Sequence, residues 1–377
     1  MNIFDIVIIG GLHHNTLGVL RSLGEQGVHC DNINVLIVGK NIHKNNIISS
    51  SKYINSNKVH YVDTNDDIIS WLIKLSKDGK RRTVICCSDG SAEVVIKNKD
   101  ILKQNFNTPS TSYDVEKLMS KQIQGELAIQ SGFNIPTSTI IKASEYRQGN
   151  WEKYPCITKP LKSVSGSGKA DIHVSNNEQE LLQALSETDA EFVQIQEYLQ
   201  KKLEYQLIGC SLNNGEILII PGYTDIIRQP NNTNTGYLLY SPIDKFSYNK
   251  NAVETFIKMI GYNGLFSMEF IRDLNDTDYF LEINMRNDGN AYCVKTAGVN
   301  LPYIWCYYQT EHVLPKENTK FNKPVYFMPE FNDIKRGIKT VGVLKWMIQF
   351  FQAKSHAIFN TRDMKPFIVK IIRAIFK

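Results

Sequence analysis

The chain has 377 residues, 42% of them hydrophobic and 21% charged, a length that asks for more than one small core and a composition typical of ordinary globular proteins. No apolar run reaches the roughly 18 residues of a membrane-spanning helix, no basic leader precedes the first apolar run, and seven cysteines without a CxxC pair exclude a disulfide framework and a zinc ribbon, as expected of a reducing, cytoplasmic setting. The net charge of +5 is concentrated in residues 331–377, where ten Lys/Arg face two Asp, which leaves −3 over the rest and argues against nucleic acid as a partner.

Residues 3–9 (IFDIVII) form a short apolar run that ends on Gly10-Gly11, the pattern of a buried parallel strand entering a tight turn. Residues 15–26 follow with Leu17, Val19, Leu20 and Leu23 at helical spacing. Residues 35–38 are a second buried strand, 68–75 a second helix, and 83–87 (TVICC) a third strand before Ser88-Asp89-Gly90. Strand–helix alternation of this kind predicts a doubly wound α/β unit over residues 1–110, with ligands at the carboxyl ends of its strands. That places His13, His14 and Asp89 on one rim; the two histidines read best as a polar turn.

One helix is expected over residues 113–131, stopped by Gly132. Beyond it the grammar changes to short strands at 156–159, 170–174, 192–198, 205–211, 216–220, 265–271 and 279–283, with helices near 178–185 and 252–260. This is α+β with antiparallel hairpins, assigned to a second unit over 111–315, and a basic, helical extension is expected over 316–377. The tail 366–377 sets Lys370, Arg373 and Lys377 in one stripe on an otherwise apolar helix. Two readings stay open for it: packing on the core or on a sister subunit of a homo-oligomer, or peripheral contact with the anionic inner face of a membrane.

Two stretches carry chemistry. Lys159-Pro-Leu-Lys-Ser-Val-Ser-Gly-Ser-Gly-Lys169 is a glycine-rich connection between strands, flanked by lysines, in which backbone N–H groups and positive charge can converge on phosphate oxygens. It is not a Walker A loop, since Ser163 and Ala170 stand where that pattern needs Gly and Ser/Thr. The second stretch pairs Glu269 with Glu282, thirteen residues on, in the run Glu282-Ile-Asn284-Met-Arg286. Alternation puts Glu282, Asn284 and Arg286 on one face of a strand, and two carboxylates with an amide carbonyl make a hard, all-oxygen site suited to Mg²⁺. Arg286 at its edge can hold a phosphoryl or carboxylate oxygen with two hydrogen bonds.

The order Lys121, Lys159, glycine-rich hairpin, Glu197 with Glu204, Glu269 and E-x-N-x-R resembles the ATP-grasp superfamily, in its carbamoyl-phosphate-synthase-like and carboxylate–amine ligase branch, over residues 113–308. The resemblance implies an ATP-grasp unit of two α+β subdomains. Lys121 and Lys159 then contact ATP phosphates, and Ser165, Gly166, Ser167, Gly168 and Lys169 close over them. Glu197, Tyr198 and Leu199 form the adenine hinge, and Glu204 holds the ribose. Glu269, Glu282 and Asn284 ligate one or two Mg²⁺ ions, with Mn²⁺ as a substitute, while Arg286 and Lys159 are catalytic. Asp89, Arg228, Asn287, Asp288 and Gly289 are candidate contacts for a small or polymer-linked carboxylate and amine. The chain departs from the family pattern at Lys201-Lys202, where many members have Gly, and at Met285, where Pro often precedes the final Arg. The implied activity is ATP-dependent carbon–nitrogen ligation through an acyl phosphate. The alternatives are carbamoyl-phosphate-type synthesis and a nucleotide-binding scaffold without catalysis.

Overall fold

The structure is a computed structural model that describes residues 4–160, 172–229, 235–317 and 319–375. Five parallel strands, β1 (Ile6–Gly10), β2 (Ile33–Val38), β3 (Val59–Val62), β4 (Arg82–Cys86) and β5 (Phe106–Asn107), form a sheet in the order β3-β2-β1-β4-β5. All five residues of β1 are buried because both faces of the sheet are covered: Ile6 and Ile8 enter one apolar cluster, Val7 and Ile9 another. The chain leaves β1 through Gly10, where a Cβ would lie 2.6 Å from Thr16 Oγ1 and 2.7 Å from Cys87 Cβ, so no side chain fits.

The second sheet is antiparallel, with β6 (Ser138–Lys142), β7 (Cys156–Pro160), β8 (His173–Ser175) and β9 (Phe192–Glu197) in the order β6-β9-β7-β8. Leu181 and Leu185 of the helix Glu178–Glu187 join Cys156, Val193 and Ile195 in its small core. The third sheet has eight strands. β10 (Lys201–Leu212), β11 (Ile217–Ile219), β12 (Gly222–Arg228), β13 (Tyr237–Pro242), β14 (Gly264–Asp273), β15 (Asp278–Asn284), β16 (Val325–Met328) and β17 (Ser355–His356) run β15-β14-β10-β12-β13-β16-β17, with β11 beside β10. The molecule is therefore a mixed α/β fold of one parallel and two largely antiparallel sheets. The parallel sheet and the eight-stranded sheet share a core, in which Ile8, Leu238, Ile208 and Trp305 belong to one cluster and Trp305 Nε1 donates to Val84 O at 3.1 Å.

Three expectations change. The helix over 113–131 is broken into Val115–Leu118 and Lys121–Ser131. Asp114 caps the first turn through the N–H groups of Glu116 and Lys117, and Gln124 Nε2 satisfies Leu118 O at 2.9 Å, so the break leaves its polar groups paired. The strands β3, β5, β6, β12 and β13 were not expected, although β12 and β13 supply the middle of the large sheet. The segment after residue 316 is not purely helical, because β16 and β17 extend that same sheet before and between the helices Glu330–Val341, Val343–Gln352 and Lys365–Ile375. In the last helix Pro366 is buried, and Phe367 lies 5.5 Å from the Phe331 ring and 5.2 Å from the Phe359 ring, so one side packs back on the molecule. Among the described residues no helix is long and apolar enough to cross a membrane.

Candidate active site

The register of the large sheet pairs Glu269 on β14 with Glu282 on β15 and Ser267 with Asn284. The ladder shifts by one residue just beyond the Glu pair, a bulge of the kind that re-aims side chains. Asn284 Nδ2 donates to Glu269 Oε1 at 3.2 Å, and Gln206 Nε2 on the neighbouring β10 donates to the same oxygen at 3.1 Å. Lys121, at the start of its helix, places its ammonium 2.7 Å from Glu282 Oε2. Desolvation alone would lower the Lys121 pKa, but the carboxylates of Glu282, Glu269 and Asp89 outweigh it and raise it. Glu269, Glu282, Asn284 and Lys121 are thus brought together, as the sequence pattern requires. The donor set fits Mg²⁺: two carboxylates and an amide oxygen, hard donors without sulfur or imidazole, beside a lysine that a phosphate can also engage.

Arg286 continues this face. Its Nε donates to Asp89 Oδ1 and its Nη1 to Asp288 Oδ2, both at 3.1 Å. Burial works against its charge, but Asp288, Asp89 and Glu269 raise its pKa, so it stays a cation. Asp89 reaches Arg286 from the first turn of the helix Asp89–Lys97, whose start is fixed by the reciprocal Ser88–Ser91 capping box. Asp288 is itself held by Ser267 Oγ at 2.8 Å and Asn290 N at 2.8 Å. The Asn287 backbone docks on the first sheet through its N–H to Cys86 O at 2.9 Å, its Nδ2 donates to Asn15 Oδ1 at 2.6 Å, and its carbonyl accepts from Asn15 Nδ2 at 2.6 Å. Residues 286–290 therefore form the seam between the parallel sheet's carboxyl rim and the large sheet.

The rim histidines face the same seam. Burial, then Arg286, lowers the His13 pKa to about 4. Burial, then His13, lowers that of His14 to about 4 against the pull of Asp288. Both are neutral at pH 7 and, with burial opposing their protonation, are weak bases that serve as uncharged polar groups at the seam. At Gly289 a Cβ would meet His14 Nε2 at 3.0 Å and Thr235 Oγ1 at 3.1 Å, so glycine keeps this approach narrow.

The nucleotide candidates lie along the antiparallel sheets. Lys159 Nζ, on β7, donates to Gln196 Oε1 on β9 at 2.8 Å. Glu197 lies 3.6 Å from Lys153 Nζ and ends β9. Tyr198 and Leu199 follow in the connection to β10; the Tyr198 N–H donates to Pro155 O at 2.9 Å while its ring is exposed. Glu204 accepts from Lys201 Nζ at 2.7 Å and Gln229 Nε2 at 3.3 Å. It stands two residues from Gln206 on β10, hence on the face that carries Glu269. Ser165, Gly166, Ser167, Gly168 and Lys169 lie outside the described residues. Arg228 is engaged elsewhere: its Nε and Nη2 grip Asp333 at 2.8 and 2.7 Å in a buried pair, and Nη1 donates to Gln349. Gln206, Ser267 and Asn15 were not singled out from sequence, where isolated polar residues in apolar strands and helices carry no pattern of their own, whereas Asn290 closes the polar turn 287–290 that the sequence does mark. Asn290 Nδ2 reaches Gln206 Oε1 at 2.7 Å across 84 residues.

No protein-family model matches the sequence. The chain is 24% identical over 312 residues to a D-aspartate ligase of Enterococcus faecium (strain Aus0004), covering 73% of this chain and 68% of that one. Its fold matches an N5-carboxyaminoimidazole synthetase from Staphylococcus aureus with a TM-score of 0.61 at 18% identity, over 86% and 83% of the two chains. The biotin carboxylase domain of the Hydrogenobacter thermophilus 2-oxoglutarate carboxylase, solved with MgADP and bicarbonate, matches with a TM-score of 0.61 at 17% identity, over 86% and 74%. At these identities the structural matches establish a shared fold.

Proposed function

We propose, from the premise that this chain has the ATP-grasp fold, that it is an ATP- and Mg²⁺-dependent ligase that activates a carboxylate as an acyl phosphate and joins it to an amine. The observation that carries the reading is the convergence of Glu269, Glu282, Asn284, Lys121 and Arg286 at one seam, bounded by Asp89 and Asp288. The relative named as a D-aspartate ligase and the neighbour solved with MgADP support the same chemistry and cofactors. We assign residues 1–110 to a preceding Rossmann-like unit, 111–315 to the nucleotide-binding unit and 316–377 to an extension that completes its sheet. Seven thiols without a disulfide among them and a dependence on ATP suit the cytoplasm.

A carboxylate oxygen attacks the γ-phosphorus of ATP, and the bond to the ADP oxygen breaks. Two anions must meet, so cationic side chains already in position lower the barrier more than any nucleophile would. Lys159 and Lys121 address the phosphates, while Glu197, Tyr198, Leu199 and Glu204 orient adenine and ribose. Glu269, Glu282 and Asn284 would hold Mg²⁺, which would supply further positive charge to the phosphates when bound. Arg286, kept charged by Asp288 and Asp89, steadies the acyl phosphate. The amine nitrogen then attacks the acyl carbon, phosphate leaves, and the displaced N–H proton is carried off by the departing phosphate, past the neutral imidazoles of His13 and His14 at the rim. Asn287, Asp288 and Gly289 position the substrates; an ammonium group fits the Asp288 carboxylate and a carboxylate fits Arg286.

The test is phosphate release measured over pairs of carboxylates and amines, beginning with D- and L-aspartate and other amino acids, with mass spectrometry of the products. The expected result is release that needs ATP, Mg²⁺, one carboxylate and one amine, with a product lighter by one water than the sum of its parts. ATP binding without turnover across the panel would favour a non-catalytic nucleotide-binding protein.

A further inference from the structure

We propose that the helical hairpin formed by Glu330–Val341 and Val343–Gln352 is a docking surface for an anionic lipid bilayer. The second helix turns one face inward and one outward. Inward, Trp346 and Phe350 pack against Tyr237, Met328 and Ala353, and Trp346 Nε1 donates to Asp333 Oδ2 at 2.9 Å. Asp333 is the same carboxylate that Arg228 grips, so the hairpin is anchored to β12 through a buried charged group. Outward, Val343, Leu344, Met347, Ile348 and Phe351 recur at helical spacing on one face, and they are 53, 79, 45, 56 and 68% exposed. Ile334 on the first helix adds to the same kind of surface at 40%. Five large apolar side chains held outward by an anchored helix are not incidental exposure of single residues.

Charge identifies the occupant. Residues 331–377 hold only two acidic side chains, Asp333 and Asp363, and both are buried with arginines, Arg228 and Arg21. What this region presents to solvent is therefore basic, with Lys335, Arg336, Lys339, Lys345 and Lys354 exposed on and beside the hairpin. The last helix carries a second, smaller strip, Ile368, Ile372 and Ile375, with Lys365 exposed on it and Lys370 and Arg373 half-buried. An apolar face rimmed by lysine matches the boundary between acyl chains and anionic headgroups, where the stems lie along the apolar layer and the ammonium groups reach phosphate. A second copy fits less well, because a twofold contact through this face would bring two basic rims together. Protein interfaces are also depleted in lysine.

The full chain is to be co-sedimented with vesicles of phosphatidylglycerol and phosphatidylcholine, and with phosphatidylcholine alone, at low and at physiological salt. Wild type should bind the anionic vesicles and lose about tenfold or more in affinity as salt rises, and it should bind neutral vesicles weakly at most. The Leu344→Glu/Phe351→Glu variant, whose changed side chains touch solvent in the folded chain, should keep its thermal melt and ATP binding and lose vesicle binding. No binding of wild type to anionic vesicles at low salt would overturn the proposal, as would undiminished binding by the double variant. Light scattering that shows a wild-type dimer, a monomeric double variant and no vesicle binding would reassign the face to self-association. None of these outcomes depends on ligase activity.

Discussion

Glu282→Gln should lower turnover by roughly 10²–10³-fold and shift the Mg²⁺ concentration needed for half-maximal rate upward. The substitution keeps the shape of the side chain and removes one of the two carboxylates that face each other across β14 and β15. It also removes the anion that holds the Lys121 ammonium at 2.7 Å. Stability should move by no more than about 1 kcal/mol, because the Lys121 end of the pair is 69% exposed, although Glu282 itself is 20% exposed, and solvent screens such a pair. A large kinetic loss with an unchanged melt is thus the signature of a metal and phosphate site. Kinetics and Mg²⁺ dependence equal to wild type would remove Glu282 from that site and leave Glu269 without its partner in the assignment. Glu269→Gln makes a sharper comparison, since Glu269 is 6% exposed and accepts from both Asn284 and Gln206. Its loss should disturb the packing of β10 against β14 as well as the rate.

Lys159→Ala should reduce turnover by about 10²–10³-fold, with a weaker apparent affinity for ATP. Lys159 projects from the end of β7, where Gln196 on β9 aims its ammonium through a 2.8 Å hydrogen bond. Removing the charge takes away stabilisation of the transferring phosphoryl group, whereas Gln196→Ala leaves the charge and loosens only its aim. The second variant should therefore cost an order of magnitude less. Stopped-flow measurement of a single turnover separates the two, because the step altered is phosphoryl transfer rather than product release. Equal, near-wild-type rates in both variants would place Lys159 outside the phosphate path.

Sequence reading succeeded where the signal is local. The alternation Glu282-Ile-Asn284-Met-Arg286 needs only the two-residue period of a strand to put three polar groups on one face, and the apolar run before Gly10-Gly11 needs only burial on both sides of a parallel strand. It failed where a residue's role depends on a partner far along the chain. Arg228 was a candidate substrate contact, yet the fold pairs it with Asp333, 105 residues away. Gln206 is an isolated polar residue in an apolar strand until the fold places its Oε1 2.7 Å from Asn290 Nδ2 and its Nε2 on Glu269. The rim histidines read as a polar turn, and their burial cannot be inferred from His13-His14 alone; in the fold desolvation holds both neutral. The basic tail shows the same limit. Periodicity made residues 366–377 the conspicuous apolar helix, but Phe367 turns inward, and the larger exposed face belongs to Val343–Gln352. Which side of an amphipathic helix finds a partner is settled by tertiary packing, which periodicity does not encode.

The most direct test of the acyl-phosphate route is oxygen transfer. With the carboxylate identified in the substrate screen labelled with ¹⁸O at both oxygens, the phosphate released with the product should carry ¹⁸O, one labelled oxygen per turnover, because the carboxylate oxygen that attacks the γ-phosphorus leaves with it when the amine displaces phosphate. Amide formation accompanied by unlabelled phosphate, with the displaced ¹⁸O recovered in water or in AMP instead, would contradict the account.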